Sequence, residues 1–294
     1  MQVERLGARD LTLVTVICLV WAGNFLTSAF ALREIPPFLF SALRMGLLAL
    51  LLLAFLRPPP REQWPRLAAV ALLNGALHFG TSLWALRMAG DLSSPAIVMQ
   101  SYIPMSVLLA WWLLGERFAW RTGTAIAISF AGVLVLGFDP LVLDRPESLL
   151  MMLFSAFLIA LGTVLMRGLR GMDALGMQAW TAVIGVGPLL AISAAIEPGG
   201  FAALPDASLV AWGAVGYSAV FASIVGHSLF FGLVQRHPVV QVAPLLLLTP
   251  VFAVALGIAF WGDRPGPKLW IGGAMVLGGV LMVALRARSK ALGP

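Results

Sequence analysis

A chain of 294 residues that is 60% hydrophobic and 11% charged, with a mean hydropathy of +0.96, lies far outside the range of soluble domains and is expected to be an integral membrane protein. Its net charge of +6 sits in short connectors with no long basic run, which points to membrane topology and no nucleic-acid partner. The single cysteine, Cys18, excludes an intrachain disulfide.

Apolar runs bounded by charge, proline and glycine predict an all-α protein with ten transmembrane helices over 11–32, 36–56, 67–88, 93–114, 121–138, 148–168, 174–196, 208–235, 238–261 and 268–286. The first run is too long for a signal-peptide core and lacks an A-x-A cleavage pattern, so it reads as a retained helix.

Polar and ionisable side chains are costly in lipid, which makes those inside the spans the functional candidates. Span one carries Trp21 and Asn24 near its centre, and span two carries Arg44, the one strongly basic residue well inside a span, whose partner, with no carboxylate in the spans, is open between backbone carbonyls, water and a substrate carboxylate. Span three contains "NGALHFGTSLW" at 74–84, where Asn74, His78 and Ser82 stand at i, i+4 and i+8. On a straight helix that spacing makes one stripe, ~12 Å long, which should face other helices or a wet cavity. An interhelical hydrogen bond and a cavity wall are both open readings. Span four adds Gln100 and Tyr102, just before Pro104.

Trp180 in span seven and Tyr217 in span eight are further candidates for substrate contact or for ordinary packing. His227 forms a stripe with Ser223 toward the cytoplasmic end of span eight, which suits a gate or a packing role. Gln178 and Gln241 also fall toward that side. Pro104 and Pro250 occupy similar mid-span positions and are candidate hinges, or static bends. The glycines of "GGAMVLGG" at 272–279 assign spans five and ten to packing or to a subunit contact. Amides can both donate and accept, which suits a zwitterion, and aromatic rings offer a flat face and attract an ammonium group.

No Asp or Glu lies near the middle of a predicted span, which speaks against an intramembrane carboxylate relay and a carboxylate-rich sodium site. Paired acids, a His/Cys cluster and a nucleophile–base pair are all missing, so neither an enzyme, a metal nor a cofactor is expected.

Thirteen basic residues, among them Arg57, Arg61, Arg66, Arg117 and Arg236, fall on one side of the ten-span topology, against Arg33, Arg87, Arg145, Arg264 and Lys268 on the other. The positive-inside rule then puts both termini in the cytoplasm. Trp64, Trp120, Trp212, Trp261 and Trp270 lie near span ends and are expected in the interfacial belts.

"LLGER" at 113–117 and "GVLVL" at 132–136 recur as "FWGDR" at 260–264 and "GVLMV" at 279–283, each offset by 147 residues. Gly80-x-Ser82-Leu83-Trp84 likewise matches Gly226-x-Ser228-Leu229-Phe230, a register that sets Ile224 opposite His78. Halves at 1–147 and 148–294 would each hold five spans. An odd number forces the second to enter the membrane inverted, as in secondary transporters and some channels.

Trp21-Ala22-Gly23-Asn24, "PPFLFSALR", "LLGER" and "GVLVLG" resemble the EamA-type branch of the drug/metabolite transporter superfamily, over nearly the whole chain. Within it, "GALHFGTSLWAL" and "AIVMQSYIP" look most like bacterial exporters of aromatic amino acids. The resemblance implies that an arginine at position 44 accompanies family members with very different substrates, which favours a structural or snorkelling role over substrate contact. It also implies an inner-membrane transporter that exports small amphipathic metabolites, aromatic amino acids above all, by alternating access through a midplane cavity between the repeats. Broad drug or cation efflux is the alternative within transport, and a lipid scramblase or other non-transporting membrane protein the alternative outside it. The expected partners are the small-molecule substrate and membrane lipid, with monomer and homodimer both open.

Overall fold

The computed structural model describes residues 7–237 and 242–292. Gln241 lies outside them. With no water in a bilayer core to bond free N–H and C=O groups, apolar runs satisfy themselves as helices. Nine helices among the described residues are long and apolar enough to span: α1 (Ala8–Ala31), α3 (Arg61–Ala89), α4 (Ser93–Leu114), α5 (Trp120–Gly137), α6 (Pro146–Met166), α7 (Ala174–Ile196), α8 (Leu209–Phe230), α9 (Pro244–Trp261) and α10 (Pro267–Arg286). The expected second span is a shorter helix, α2 (Pro37–Leu51), of 15 residues. At ~1.5 Å per residue it covers ~22 Å, less than the ~30 Å of hydrocarbon. A 3₁₀ turn, Leu53–Phe55, takes over the end of its apolar run before Pro58, Pro59 and Pro60. Because α2 packs mainly on α7 and α3, its Arg44 is enclosed by protein.

The carboxylates that the spans lack are spent on capping. Glu197 accepts from the backbone N–H groups of Phe38 (2.8 Å) and Leu39 (3.0 Å) at the start of α2. Asp263 accepts from Leu92 N (3.0 Å), Ser93 N (2.9 Å) and Ser93 Oγ at the start of α4. Glu34 accepts from Ser208 N (2.6 Å) and Oγ (2.7 Å) before α8, which holds its carboxyl below the usual range, and Asp139 accepts from Leu269 N (2.8 Å) in α10. These carboxylates sit at helix N-termini, where free backbone N–H groups and the dipole favour negative charge. All four tie a connector in one half of the chain to a helix in the other.

Asp91, in the connector between α3 and α4, is buried and accepts from Ser94 N (2.6 Å) and Ser94 Oγ (2.8 Å). Burial, reinforced by Asp263 and Asp139 and opposed by those two bonds, pushes its carboxyl from 3.8 up to about 7. Between those values the folded chain holds a proton that the unfolded chain has released, so stability is expected to fall as pH rises through that window. The Tm in detergent should be higher at pH 5 than at pH 8, and Asp91→Asn, which can still cap, should flatten the difference. An unchanged pH slope in Asp91→Asn would remove Asp91 as its source.

α5 and α10 make the closest helix pair. A Cβ on Gly132 would sit 2.6 Å from Gly272 O and 2.7 Å from Val276 N, and one on Gly279 would sit 2.6 Å from Ala125 O and 2.8 Å from Ser129 N. Subtracting 147 from Gly279, Gly272 and Val276 gives Gly132, Ala125 and Ser129, so each contact is the other read through the same offset. Ser129 Oγ itself donates to Val276 O, 147 residues away.

Two of the inner helices are irregular at matching places. α3 is π-helical over Ala71–Leu77 and α8 over Ser218–Val225, starts that are again 147 residues apart. α4 breaks at Gln100 and Ser101, between Ser93–Met99 and Tyr102–Leu114, and α9 changes from 3₁₀ (Ala243–Leu247) to α-helix (Leu248–Leu256). The prolines explain these breaks: Pro104 and Pro250 cannot donate to the carbonyls four residues back, those of Gln100 and Leu246, and their rings crowd them. Of the expected belt residues, Trp120, Trp212 and Trp270 are exposed on the outer face. Trp261 differs, donating to Gly90 O (3.0 Å) with its ring against Arg33 (4.2 Å).

Candidate substrate cavity

A cavity of about 290 Å³ opens between α1, α2, α3, α4, α6, α8 and α9, close to the lower end of the range for small-molecule sites. Its first wall is one stripe of α1: Trp21, Asn24, Phe25 and Ser28, at i, i+3, i+4 and i+7. Trp21 is set by Nε1, which donates to Ala222 O (3.0 Å) in the π-helical part of α8, and its ring lies 5.3 Å from that of His227. The same indole fills the space a side chain at Gly226 would need, since a Cβ there would meet Nε1 at 2.6 Å. Asn24 Oδ1 accepts a hydrogen bond from Ser218 Oγ.

α3 supplies His78, Phe79 and Ser82. His78 is 6% exposed, with Nδ1 2.9 Å from Ser155 Oγ and 3.3 Å from Ser155 O on α6. A carbonyl can only accept, and Ser155 Oγ already donates to His78 O (2.9 Å), so the network assigns the proton to Nδ1. Nε2 then carries the lone pair. The two readings left open for His78 therefore coexist, one ring nitrogen bonding a neighbouring helix while the residue lines the cavity.

The expected stripe of Asn74, His78 and Ser82 does not survive. The π-helical turn takes more residues per turn than 3.6, so Asn74 is rotated about the helix axis away from the place that α-helical spacing gives it relative to His78. Asn74 is turned toward α6, where a Cβ on Gly162 would fall 1.9 Å from its Oδ1, and it is absent from the cavity lining.

From α4 come Gln100 and Tyr102, exposed to the cavity by the break that Pro104 imposes. Leu246, whose carbonyl Pro250 cannot bond, lines it from α9. His227 also reaches the cavity, farther in than its expected place toward the cytoplasmic end, and its Nδ1 faces Ala222 O (3.2 Å) and Ser223 O (2.9 Å).

Trp21, Asn24, His78, Ser82, Gln100, Tyr102 and His227 are thus brought together, and Trp180 and Tyr217 are not. Trp180 Nε1 donates to Arg57 O (2.8 Å), with its ring edge-on to Trp64 at 4.8 Å. Tyr217 packs α8 on α1, its hydroxyl donating to Val20 O (3.1 Å) over Gly23, its ring stacked on Phe221. Pro104 and Pro250 stand behind the lining and shape it without touching it.

Arg44, for which the resemblance favoured a structural or snorkelling role, also stands in the lining. It lines the cavity at 3% exposure, donates from Nη2 to Ser223 Oγ (3.0 Å) and lies 4.0 Å from the centre of the Phe79 ring. Its Nε and Nη1 have no hydrogen-bond partner, and no carboxylate lines the cavity among the described residues. Phe25 and Phe79 were missed. A signal for them existed, since Phe25 stands four residues after Trp21 and Phe79 three before Ser82, each on the same helical face. The cavity is therefore aromatic on several sides, carries amide and imidazole groups at its waist, and holds one buried cation.

A model described as the EamA-like transporter family matches this chain twice, over residues 10–138 and 147–285. The chain is 23% identical over 283 residues to "Probable amino-acid metabolite efflux pump" of Escherichia coli (strain K12), covering 94% of both chains. It is 25% identical over 273 residues to "Uncharacterized inner membrane transporter YedA" of the same strain, covering 91% of this chain and 88% of that one. A solved crystal structure superposes with a TM-score of 0.63 at 21% identity, covering 95% of this chain and 98% of that chain, a likeness of fold.

Proposed function

The chain belongs to the EamA-like transporter family, and from that premise we propose that it exports aromatic amino acids through the cavity by alternating access. It is a multi-pass inner-membrane transporter. The observation that carries the substrate is the lining itself: Trp21, Phe25, Phe79 and Tyr102 offer aromatic faces around Asn24, His78 and Gln100. Rings prefer offset or edge-on partners, and amides with a lone-pair nitrogen can bond the polar end of a zwitterion. A cation substrate would meet Arg44 with no acid to balance it, which disfavours cation efflux.

The mechanism follows from the matched irregularities. Two repeated halves are supported by the reciprocal α5–α10 contact and by the double family match, and we read them as five-helix copies inverted in the membrane with both termini cytoplasmic, from the odd number of expected spans and the bias of the basic residues. The breaks at Pro104 and Pro250 adjoin the cavity on facing halves and serve as the hinges, with the π-helical turns of α3 and α8 beside them. No acid lines the cavity among the described residues, which supports transport down the substrate gradient.

Purified protein in liposomes is expected to give saturable, low-affinity flux of labelled phenylalanine, tyrosine or tryptophan, unaltered by an imposed pH gradient, and no flux of organic cations. No saturable amino-acid flux under any gradient overturns the export reading. Flux that needs a pH gradient replaces facilitated movement with proton antiport.

A further inference from the structure

The unbalanced charge on Arg44 bears on what part of a substrate the cavity recognises. A guanidinium stays ionised and brings five N–H donors, and removing it from water without a counter-ion costs several kcal/mol. Here one donor is used by Ser223 Oγ, one face is given to Phe79, and Nε and Nη1 remain unpaired. The two histidines that share the cavity add no negative charge, and the nearest neutral acceptors are already committed: Ser223 Oγ donates to Ser218 O (2.9 Å) and Asn24 Oδ1 takes Ser218 Oγ. For an ammonium group the lining offers neutral acceptors, among them the His78 lone pair, the amides, hydroxyls such as those of Ser82 and Thr249, and the ring faces, but no carboxylate among the described residues. The cavity is equipped for an anion and, among the described residues, has no ionic partner for a cation.

We propose that Arg44 holds the substrate carboxylate and that the site selects aromatic monocarboxylates as a class, with the α-ammonium group dispensable. This rests on the export reading above, and it extends that reading to aromatic acids without an amine. Pairing with Arg44 completes its donors and cancels its charge, while the aromatic ring stacks among Trp21, Phe79 and Tyr102. The ammonium gains no ionic partner on entry yet loses its water, so deleting it removes a desolvation cost. Deleting the carboxylate leaves two cations facing each other or the arginine unpaired.

The test separates the two ends of phenylalanine. Displacement of labelled phenylalanine from the detergent-solubilised protein, and inhibition of its flux in liposomes, are measured with 3-phenylpropionate, which lacks the ammonium, and with phenethylamine, which lacks the carboxylate. We expect 3-phenylpropionate to compete as well as phenylalanine or better, and phenethylamine to be weaker by about tenfold or more. Phenethylamine competing as well as 3-phenylpropionate in the wild-type protein overturns the proposal whatever the variants do. In Arg44→Gln the preference should shrink by about tenfold, with Arg44→Lys restoring part of it. A well-folded Arg44→Gln that keeps the full preference also overturns it. The binding arm reads the anion preference even if liposomes show no export, so loss of flux alone sinks the export reading and not this one.

Discussion

Gly279→Leu is expected to abolish recovery of folded protein, whereas Gly278→Leu, one residue away on the same helix, should be recovered at wild-type yield. A Cβ at 279 would lie 2.6 Å from Ala125 O and 2.8 Å from the Cβ and N of Ser129, all on α5. Those atoms are largely backbone, so no rotamer change relieves the clash and the two helices must separate. The cost should exceed the ~1–3 kcal/mol of an ordinary overpacked core, because a seam lined by Gly132, Gly272 and Gly279 opens along its length. A Cβ at 278 meets nothing within 4 Å, and leucine is a better helix former than glycine. Size-exclusion profiles and thermal melts in detergent compare the two variants. A monodisperse Gly279→Leu with an unchanged Tm would mean that the α5–α10 seam contributes little to the fold.

His78→Leu is expected to lower aromatic amino-acid flux by about tenfold or more, the effect of leaving a substrate polar group unpaired at ~1–3 kcal/mol, with little change in Tm. The fold should tolerate it because Ser155 Oγ donates to the carbonyl of residue 78, a backbone bond that leucine keeps. Leucine also occupies a volume similar to that of the imidazole, so the contact between α3 and α6 persists. Ser155→Ala supplies the complementary measurement. It removes the Oγ partner of Nδ1 but not the Ser155 carbonyl, so the ring should keep its orientation and flux should fall only modestly. Unchanged flux in His78→Leu would leave the histidine as a helix-to-helix contact only.

Both expectations depend on features of different legibility. Apolar run length placed nine spanning helices to within a few residues, because each helix in lipid must satisfy its own backbone and carries that need in its composition. The one predicted span whose helix is markedly shorter than its apolar run, α2, ends where the chain changes to a 3₁₀ turn, which hydropathy cannot register. The α1 wall of the cavity was legible too, since Trp21 and Asn24 lie on a regular helix whose 3.6-residue period extends to Phe25 and Ser28.

Where the period itself changes, spacing misleads. The π-helical turn at Ala71–Leu77 turned Asn74 from the stripe it was assigned to, while His78, at the first residue after that turn, stayed on the cavity. Trp180 and Tyr217 show the other failure: an aromatic residue deep in a run can serve a cavity or seal a helix seam, and only the partners across 123 and 197 residues of chain tell them apart.

By itself the amino-acid sequence determined the membrane environment, the succession of helices and the inventory of polar side chains inside them, since burial in lipid imposes these one segment at a time. Tertiary structure decided which of those side chains share a cavity, where the carboxylates go, and that Arg44 has Ser223 and Phe79 beside it but no counter-ion among the described residues. Such pairings depend on helices far apart in the chain meeting at a given rotation, and no local period encodes that meeting.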